Sequence, residues 1–168
     1  MSELNISGII RESIVDGPGI RFVVFAQGCP HHCRDCHNPQ TWPFSGGKKV
    51  TPERIMSEIK KDPLLTGVTL SGGEPFCQPK AMAEIARLTH EAGLDVVTFT
   101  GYLFEHLVEK AKEDDAVRDL LNETDVLVDG PFIASLKSYD LKFRGSSNQR
   151  AIDVKKSLDE GKVITVWE

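Results

Sequence analysis

Short apolar runs alternate with helical stripes along this chain. Arg21 to Ala26 reads Arg-Phe-Val-Val-Phe-Ala, and similar runs cover Gly67 to Ser71, Asp95 to Thr100, Asp125 to Asp129, Ala151 to Val154 and Val163 to Trp167. They are continuous rather than alternating and rich in Val and Ile, the pattern of strands covered on both faces of a parallel sheet. Helices are predicted between them. Thr51 offers an N-cap with Pro52 at the first helical position, and Ile55 and Ile59 recur at helical spacing. Ala81, Ile85, Leu88 and Ala92 form a longer stripe that Gly93 can terminate. A third helix is predicted over Tyr102 to Ala111 and a short one around Val117 to Leu121.

This order predicts parallel strands joined by right-handed crossovers. A doubly wound sheet and a piece of a βα barrel both satisfy it. A complete eight-unit barrel takes about 250 residues, so a chain of this size holds roughly five or six βα units. The expected fold is α/β, a partial, open parallel βα barrel forming a single domain over residues 1–168. In either closure, ligands belong at the C-terminal ends of the strands.

Composition narrows the function classes. The 168 residues are 40% hydrophobic and 27% charged, enough for a core, and the net charge is −5 with no basic tract. That balance points to neither nucleic acid nor a membrane surface as partner. No run approaches the roughly 20 apolar residues of a membrane span, and the first residues lack signal-peptide features. The expected location is the cytoplasm, where thiols stay reduced.

Three of the four cysteines lie in Gly28-Cys29-Pro30-His31-His32-Cys33-Arg34-Asp35-Cys36-His37-Asn38, directly after the first apolar run. Cys29, Cys33 and Cys36, spaced Cys-x3-Cys-x2-Cys, can wrap one face of a 4Fe–4S cube and leave one iron open for a substrate. Zinc is the main rival, but structural zinc sites want four ligands and no second pair follows. A disulfide would leave one cysteine over. Cys77 stands alone, which usually marks a small buried hydrophobe. A second motif, Ser71-Gly72-Gly73-Glu74-Pro75, ends the next strand. Its glycines let backbone approach a ligand, and Glu74 can accept hydrogen bonds from an ammonium group.

The cysteine spacing resembles the signature of the radical S-adenosylmethionine superfamily, and Gly72, Gly73, Glu74 and Pro75 match its Gly-Gly-Glu-Pro motif. The resemblance implies one 4Fe–4S cluster with S-adenosyl-L-methionine on its open iron, the methionine amino group lying near Gly72–Pro75. The superfamily often has an aromatic residue before the third cysteine; here it is Asp35, which leaves backbone contacts to the adenine around Asp35 and Cys36, with His37 as the adjacent ring. Four further segments are Ile14 to Arg21 with its Asp16-Gly17-Pro18-Gly19, Thr100-Gly101-Tyr102, Asp125 to Phe132, and Phe143 to Arg150 with its Arg144-Gly145-Ser146-Ser147-Asn148-Gln149. Singly they read as turns and strand ends. In this order, from about Ile9 to Ile152, they resemble the activating proteins of anaerobic ribonucleoside-triphosphate reductases. Asp-Gly-Pro-Gly is shared with other glycyl-radical activases, including those of pyruvate formate-lyase.

That resemblance implies an oxidoreductase. It would make a glycyl radical on the large subunit of the reductase, fed by a one-electron donor such as flavodoxin. It places Asp129 near the ligand carboxylate, against the plainer reading of a polar strand end. Arg144 and Asn148 would face either that carboxylate or the partner.

Overall fold

The structure is a computed structural model that describes residues 3–33, 36 and 39–167. Among these residues seven strands form one sheet: β1 (Leu4–Ser13), β2 (Arg21–Ala26), β3 (Lys48–Val50), β4 (Gly67–Gly72), β5 (Asp95–Phe99), β6 (Val126–Asp129) and β7 (Arg150–Asp153), in the spatial order β3-β1-β2-β4-β5-β6-β7. β2, β4, β5 and β6 run parallel, and β1, β3 and β7 add antiparallel edges. The outermost strands β3 and β7 do not pair with each other, so the barrel is open.

Among the described residues five α-helices accompany the sheet: α1 (Pro52–Lys60), α2 (Pro79–Glu91), α3 (Phe104–Ala111), α4 (Asp115–Asn122) and α5 (Val154–Glu160). Thr51 caps α1 through its hydroxyl, which accepts from Arg54 N at 3.2 Å, and Pro52 opens it. Gly93 follows α2 with φ +81°, the left-handed geometry that suits glycine. The main core joins helices to one sheet face: Phe22, Val24, Val68, Leu70, Val96, Leu127 and Ile152 meet Ile55, Ile85, Leu107 and Leu120. Strand residues of opposite parity, Val97, Val128 and Ala151, form a second cluster on the concave face, covered by Val166 and Trp167.

The predicted strands at 21–26, 67–71, 95–100 and 125–129 agree with β2, β4, β5 and β6 within a residue or two. Val163–Trp167 is not a strand; it makes one isolated bridge, Ile152 with Thr165. β1, β3 and α5 escape the apolar pattern. β1 has only three buried positions in ten, as an antiparallel strand near an edge can, and β3 has none. β7 is antiparallel because residues 130–149 reach it without a crossover helix, with only a 3-10 turn at Ala134–Leu136.

A buried cation secures the N-terminal ends of the strands. Arg21 is fully enclosed. Its guanidinium donates to Thr69 Oγ1 (2.8 Å), Pro18 O (3.0 Å) and Val68 O (3.0 Å) and pairs with Asp95. Thr69 Oγ1 in turn donates to Asp16 O at 2.8 Å. The Asp-Gly-Pro-Gly loop is thereby tied down, and Gly17 leaves room for the arginine stem, since a Cβ there would sit 2.8 Å from Arg21 Cδ. Arg21→Met leaves several buried acceptors without a donor and should lower the unfolding free energy by about 3 kcal/mol in urea titrations.

At the same end, His90 bridges two carboxylates, Nδ1 to Glu123 (2.7 Å) and Nε2 to Asp125 (2.7 Å). Burial alone would lower its pKa, but hydrogen bonds to Asp125 and Glu123 and their charges outweigh it and raise the pKa. Stability from this bridge is complete below the unfolded value of about 6.5 and is lost as pH rises through the raised folded value. All three groups are partly exposed, so unfolding between about pH 6 and about pH 9 should show a loss under about 1 kcal/mol, absent in His90→Gln.

Candidate functional site

The cysteine loop leaves the C-terminal end of β2. Gly28 N–H donates to Thr41 O at 2.6 Å and Cys29 N–H to Trp42 O at 3.0 Å, so the chain after the loop returns to hold its start. Cys29 is buried, and its sulfur accepts the backbone N–H groups of His31 and His32. Burial pushes its thiol up to about 11, with the charges of Glu74 and Cys33 adding to the rise and the N–H donors opposing it. Cys33 is half-buried, accepts the backbone N–H of Phe132, and has its thiol pushed up mainly by burial. Cys36 is half-buried and donates its N–H to Cys33 O at 3.1 Å. No disulfide joins any of the four cysteines. Cys77 is exposed on the turn after Pro75, where burial was expected, and hydrogen-bonds Tyr102. Asp35 and His37 lie outside the described residues.

The Gly-Gly turn closes on the chain itself. Gly73 N–H donates to Ala26 O and Glu74 N–H to Gly28 O, both at 2.8 Å. Gly72 has φ +97°, and a Cβ on it would meet Phe25 Cα at 2.5 Å. A Cβ on Gly73 would lie 2.8 Å from the Gly28 carbonyl carbon. Both glycines therefore have a structural reason: the end of β4 presses backbone to backbone on the start of the cysteine loop.

Glu74 is wholly buried and gathers four protein donors. Phe76 N–H reaches Oε2 (3.0 Å), Gly101 N–H reaches Oε1 (2.8 Å), and the Thr100 hydroxyl lies 2.9 Å from each oxygen. His31 Nε2 is 2.6 Å from Oε1 and donates to it, because a carboxylate only accepts. One side chain thus joins the cysteine loop, the turn after β4 and the end of β5.

Asp129 is also fully buried, at the end of β6 on the helix side of the sheet. Its oxygens accept from Arg150 (Nε 3.0 Å, Nη2 2.5 Å) and from Phe104 N–H at the start of α3 (2.8 Å). Arg150 is further paired with Glu105. Asn148 donates to Pro131 O (2.8 Å) and accepts from the Ser146 hydroxyl (2.6 Å), while Gln149 accepts from the N–H groups of Gly145 and Ser146. The Ser-Ser-Asn-Gln segment therefore staples residues 130–149 together. Arg144 donates to Trp167 O at 3.4 Å, and its Nε is buried without a partner among the described residues.

A groove of about 660 Å³ is not lined by the cysteines. It lies on the concave side, with Phe99, the loop Ile14–Asp16, and the cationic side chains Lys137 and Arg144 among its walls. It is one residue removed from the cysteine loop. Gly145 in its wall packs on Phe132, whose N–H donates to Cys33. Ile14 and Val15 are 73% and 71% exposed on its rim, an apolar edge suited to another chain.

The donor set fits a cube of iron and sulfide. Three thiols without disulfides sit at the C-terminal edge of the parallel strands, and N–H groups already point at two of the sulfurs. Among the described residues no three His, Cys, Asp or Glu side chains converge as one metal ion requires. Thiolates on separate irons of a cube need no common point.

His31, Trp42 and the Phe132 N–H are the site components that motif spacing passed over. His31 had a signal: a Cβ on Gly101 would lie 2.6 Å from its ring Cγ, so the Thr-Gly-Tyr glycine marks its slot. Gly73→Ala forces apart the end of β4 and the cysteine loop. The expected outcome is about 2–3 kcal/mol lost in denaturant unfolding, with lower iron uptake on anaerobic reconstitution.

Residues 15–152 match the family described as a 4Fe-4S single cluster domain. The anaerobic ribonucleoside-triphosphate reductase-activating protein of Vibrio cholerae is 35% identical over 145 residues, 81% of this chain and 89% of the relative. That of Escherichia coli K12 is 36% identical over 145 residues, 81% of this chain and 90% of the relative. The pyruvate formate-lyase-activating enzyme of Clostridium pasteurianum is 41% identical over 118 residues, 67% of this chain; the chain spans only 50% of that relative.

Proposed function

Because the chain belongs to the family of anaerobic ribonucleoside-triphosphate reductase-activating proteins, we propose that it makes the glycyl radical on the large subunit of such a reductase. Cys29, Cys33 and Cys36 hold a 4Fe–4S cluster, and S-adenosyl-L-methionine is the co-substrate. When bound, the cluster and S-adenosylmethionine supply a one-electron reductive cleavage whose 5′-deoxyadenosyl product takes a hydrogen atom from a glycine.

The observation that carries this reading is the gathering of the cysteine loop by Glu74 at the C-terminal ends of the parallel strands. The residues act by binding and orientation. Cys29, Cys33 and Cys36 would hold the cluster by three thiolates, and a cube that binds four would keep a place for the co-substrate. Gly72 to Pro75 line the methionine end, and Asp35, Cys36 and His37 the adenine end. Asp129 serves the ligand carboxylate at the methionine end through Arg150 and the start of α3, which its own carboxylate fixes. The groove beside Cys33 receives the partner's glycine-bearing segment, because its rim is apolar and open. A flavodoxin-type protein supplies the electron in the cytoplasm. No helix among the described residues is long and apolar enough to cross a membrane.

A second reading, activation of pyruvate formate-lyase, is favoured by the 41% identity to the Clostridium enzyme. The near-complete overlap with the reductase activators favours the first. Reconstituted without oxygen, the chain should hold about four irons and release 5′-deoxyadenosine under dithionite. Mixed with the reductase subunit and S-adenosylmethionine, it should give a glycyl-radical resonance that the lyase does not give. A radical on the lyase alone reverses the choice, and stoichiometric zinc without iron–sulfur absorbance rejects both.

A further inference from the structure

We propose that His31 is a positioning residue: its ring, locked onto Glu74, fixes the backbone N–H groups that hydrogen-bond the Cys29 sulfur, and so sets the reduction potential of the cluster. This rests on the assignment of Cys29 as an iron ligand above.

The ring is held on three sides. Nε2 donates to the buried Glu74 carboxylate at 2.6 Å. The ring meets Tyr102 edge-on, with centroids 4.6 Å apart at 77°. On the third side it occupies the space where any residue but glycine at 101 would carry its Cβ. Only 16% of the side chain remains exposed.

The backbone of the same residue does different work. The N–H groups of His31 and His32 both donate to the Cys29 sulfur. The backbone at His31 must turn for two adjacent N–H groups to aim at one atom, and the chain then leaves through His32 with φ +46°, a left-handed conformation that a non-glycine residue rarely adopts. Such a turn persists where its surroundings over-determine it. Here two rings clamp it. His31 is anchored on Glu74, and His32 stacks on Trp42 with centroids 4.7 Å apart at 8°. Trp42 O in turn accepts the Cys29 N–H. Of the two clamps, the His31 clamp is the buried one and the one tied to the sheet.

Hydrogen bonds to cluster sulfurs tune potential. An N–H donor favours the more negative, reduced cluster and raises the potential; a loosened turn lowers it. Leu at 31 fills much of the ring's space and cannot donate. Gln at 31 restores a donor at similar reach. Gly101→Ala keeps the histidine but pushes its ring away from Glu74.

The full-length chain and these variants would be reconstituted anaerobically and assayed for iron. Each would then be titrated redox-potentiometrically by electron paramagnetic resonance without S-adenosylmethionine. His31→Leu should shift the reduced-to-oxidised ratio about tenfold toward oxidised, about 59 mV for one electron. His31→Gln should recover most of it. Gly101→Ala should reproduce the shift, and the double variant with His31→Leu should move no further. Loss of iron in His31→Leu with retention in His31→Gln also supports the proposal. An unchanged potential in an iron-replete His31→Leu protein overturns it, as does loss of iron in Leu and Gln variants alike. If the unsubstituted chain takes up no iron, the reading of the cysteines themselves falls, and this proposal with it.

Discussion

The site depends on one buried carboxylate. Glu74 has no exposed surface, and a buried acceptor of this kind is costly unless donors surround it. Its donors come from three places that are distant in sequence: His31 in the cysteine loop, Phe76 in its own turn, and Thr100 with Gly101 at the end of β5. Satisfying it assembles the mouth of the barrel. The glycines at 72 and 73 serve the same assembly, by letting β4 end against the start of the cysteine loop.

The opposite edge of the sheet is organised in the same way with the charge reversed. Arg21 is enclosed among carbonyls, a threonine hydroxyl and Asp95, and holds the Asp-Gly-Pro-Gly loop through Pro18 and Thr69. β4 lies between the two devices. Val68 and Thr69 contact the arginine near its start, and the chain leads into Glu74 just past its end. Polar groups at the ends of buried strands therefore determine where the loops sit, while the apolar residues between them determine only that a sheet forms.

The open sheet suits a macromolecular substrate. The strands do not close, the concave face is only partly covered by Val166 and Trp167, and the groove beside Phe132 has an exposed apolar rim. A small-molecule enzyme would gain by enclosing its ligand. A protein that acts on a segment of another chain needs a side left open. The stapled segment Ser146–Gln149 bears on this indirectly: by holding residues 130–149 rigid it places Phe132 N–H on Cys33 and Arg144 in the groove wall.

The sequence by itself carried the motif spacing and the order of the parallel strands. Cys29, Cys33 and Cys36 are eight residues of local spacing, and β2, β4, β5 and β6 are short apolar runs whose burial on both faces leaves a one-dimensional trace. The antiparallel edges β1 and β3 leave a weaker trace because much of each is exposed, and the turn of β7 depends on a missing crossover helix rather than on its own residues. Only the tertiary structure decided the partners of the charged side chains. Asp129 caps α3 and binds Arg150, and Gly73 packs on Gly28. Such choices are made by groups 21 to 45 residues apart that meet only when the sheet has formed, and no local pattern records them.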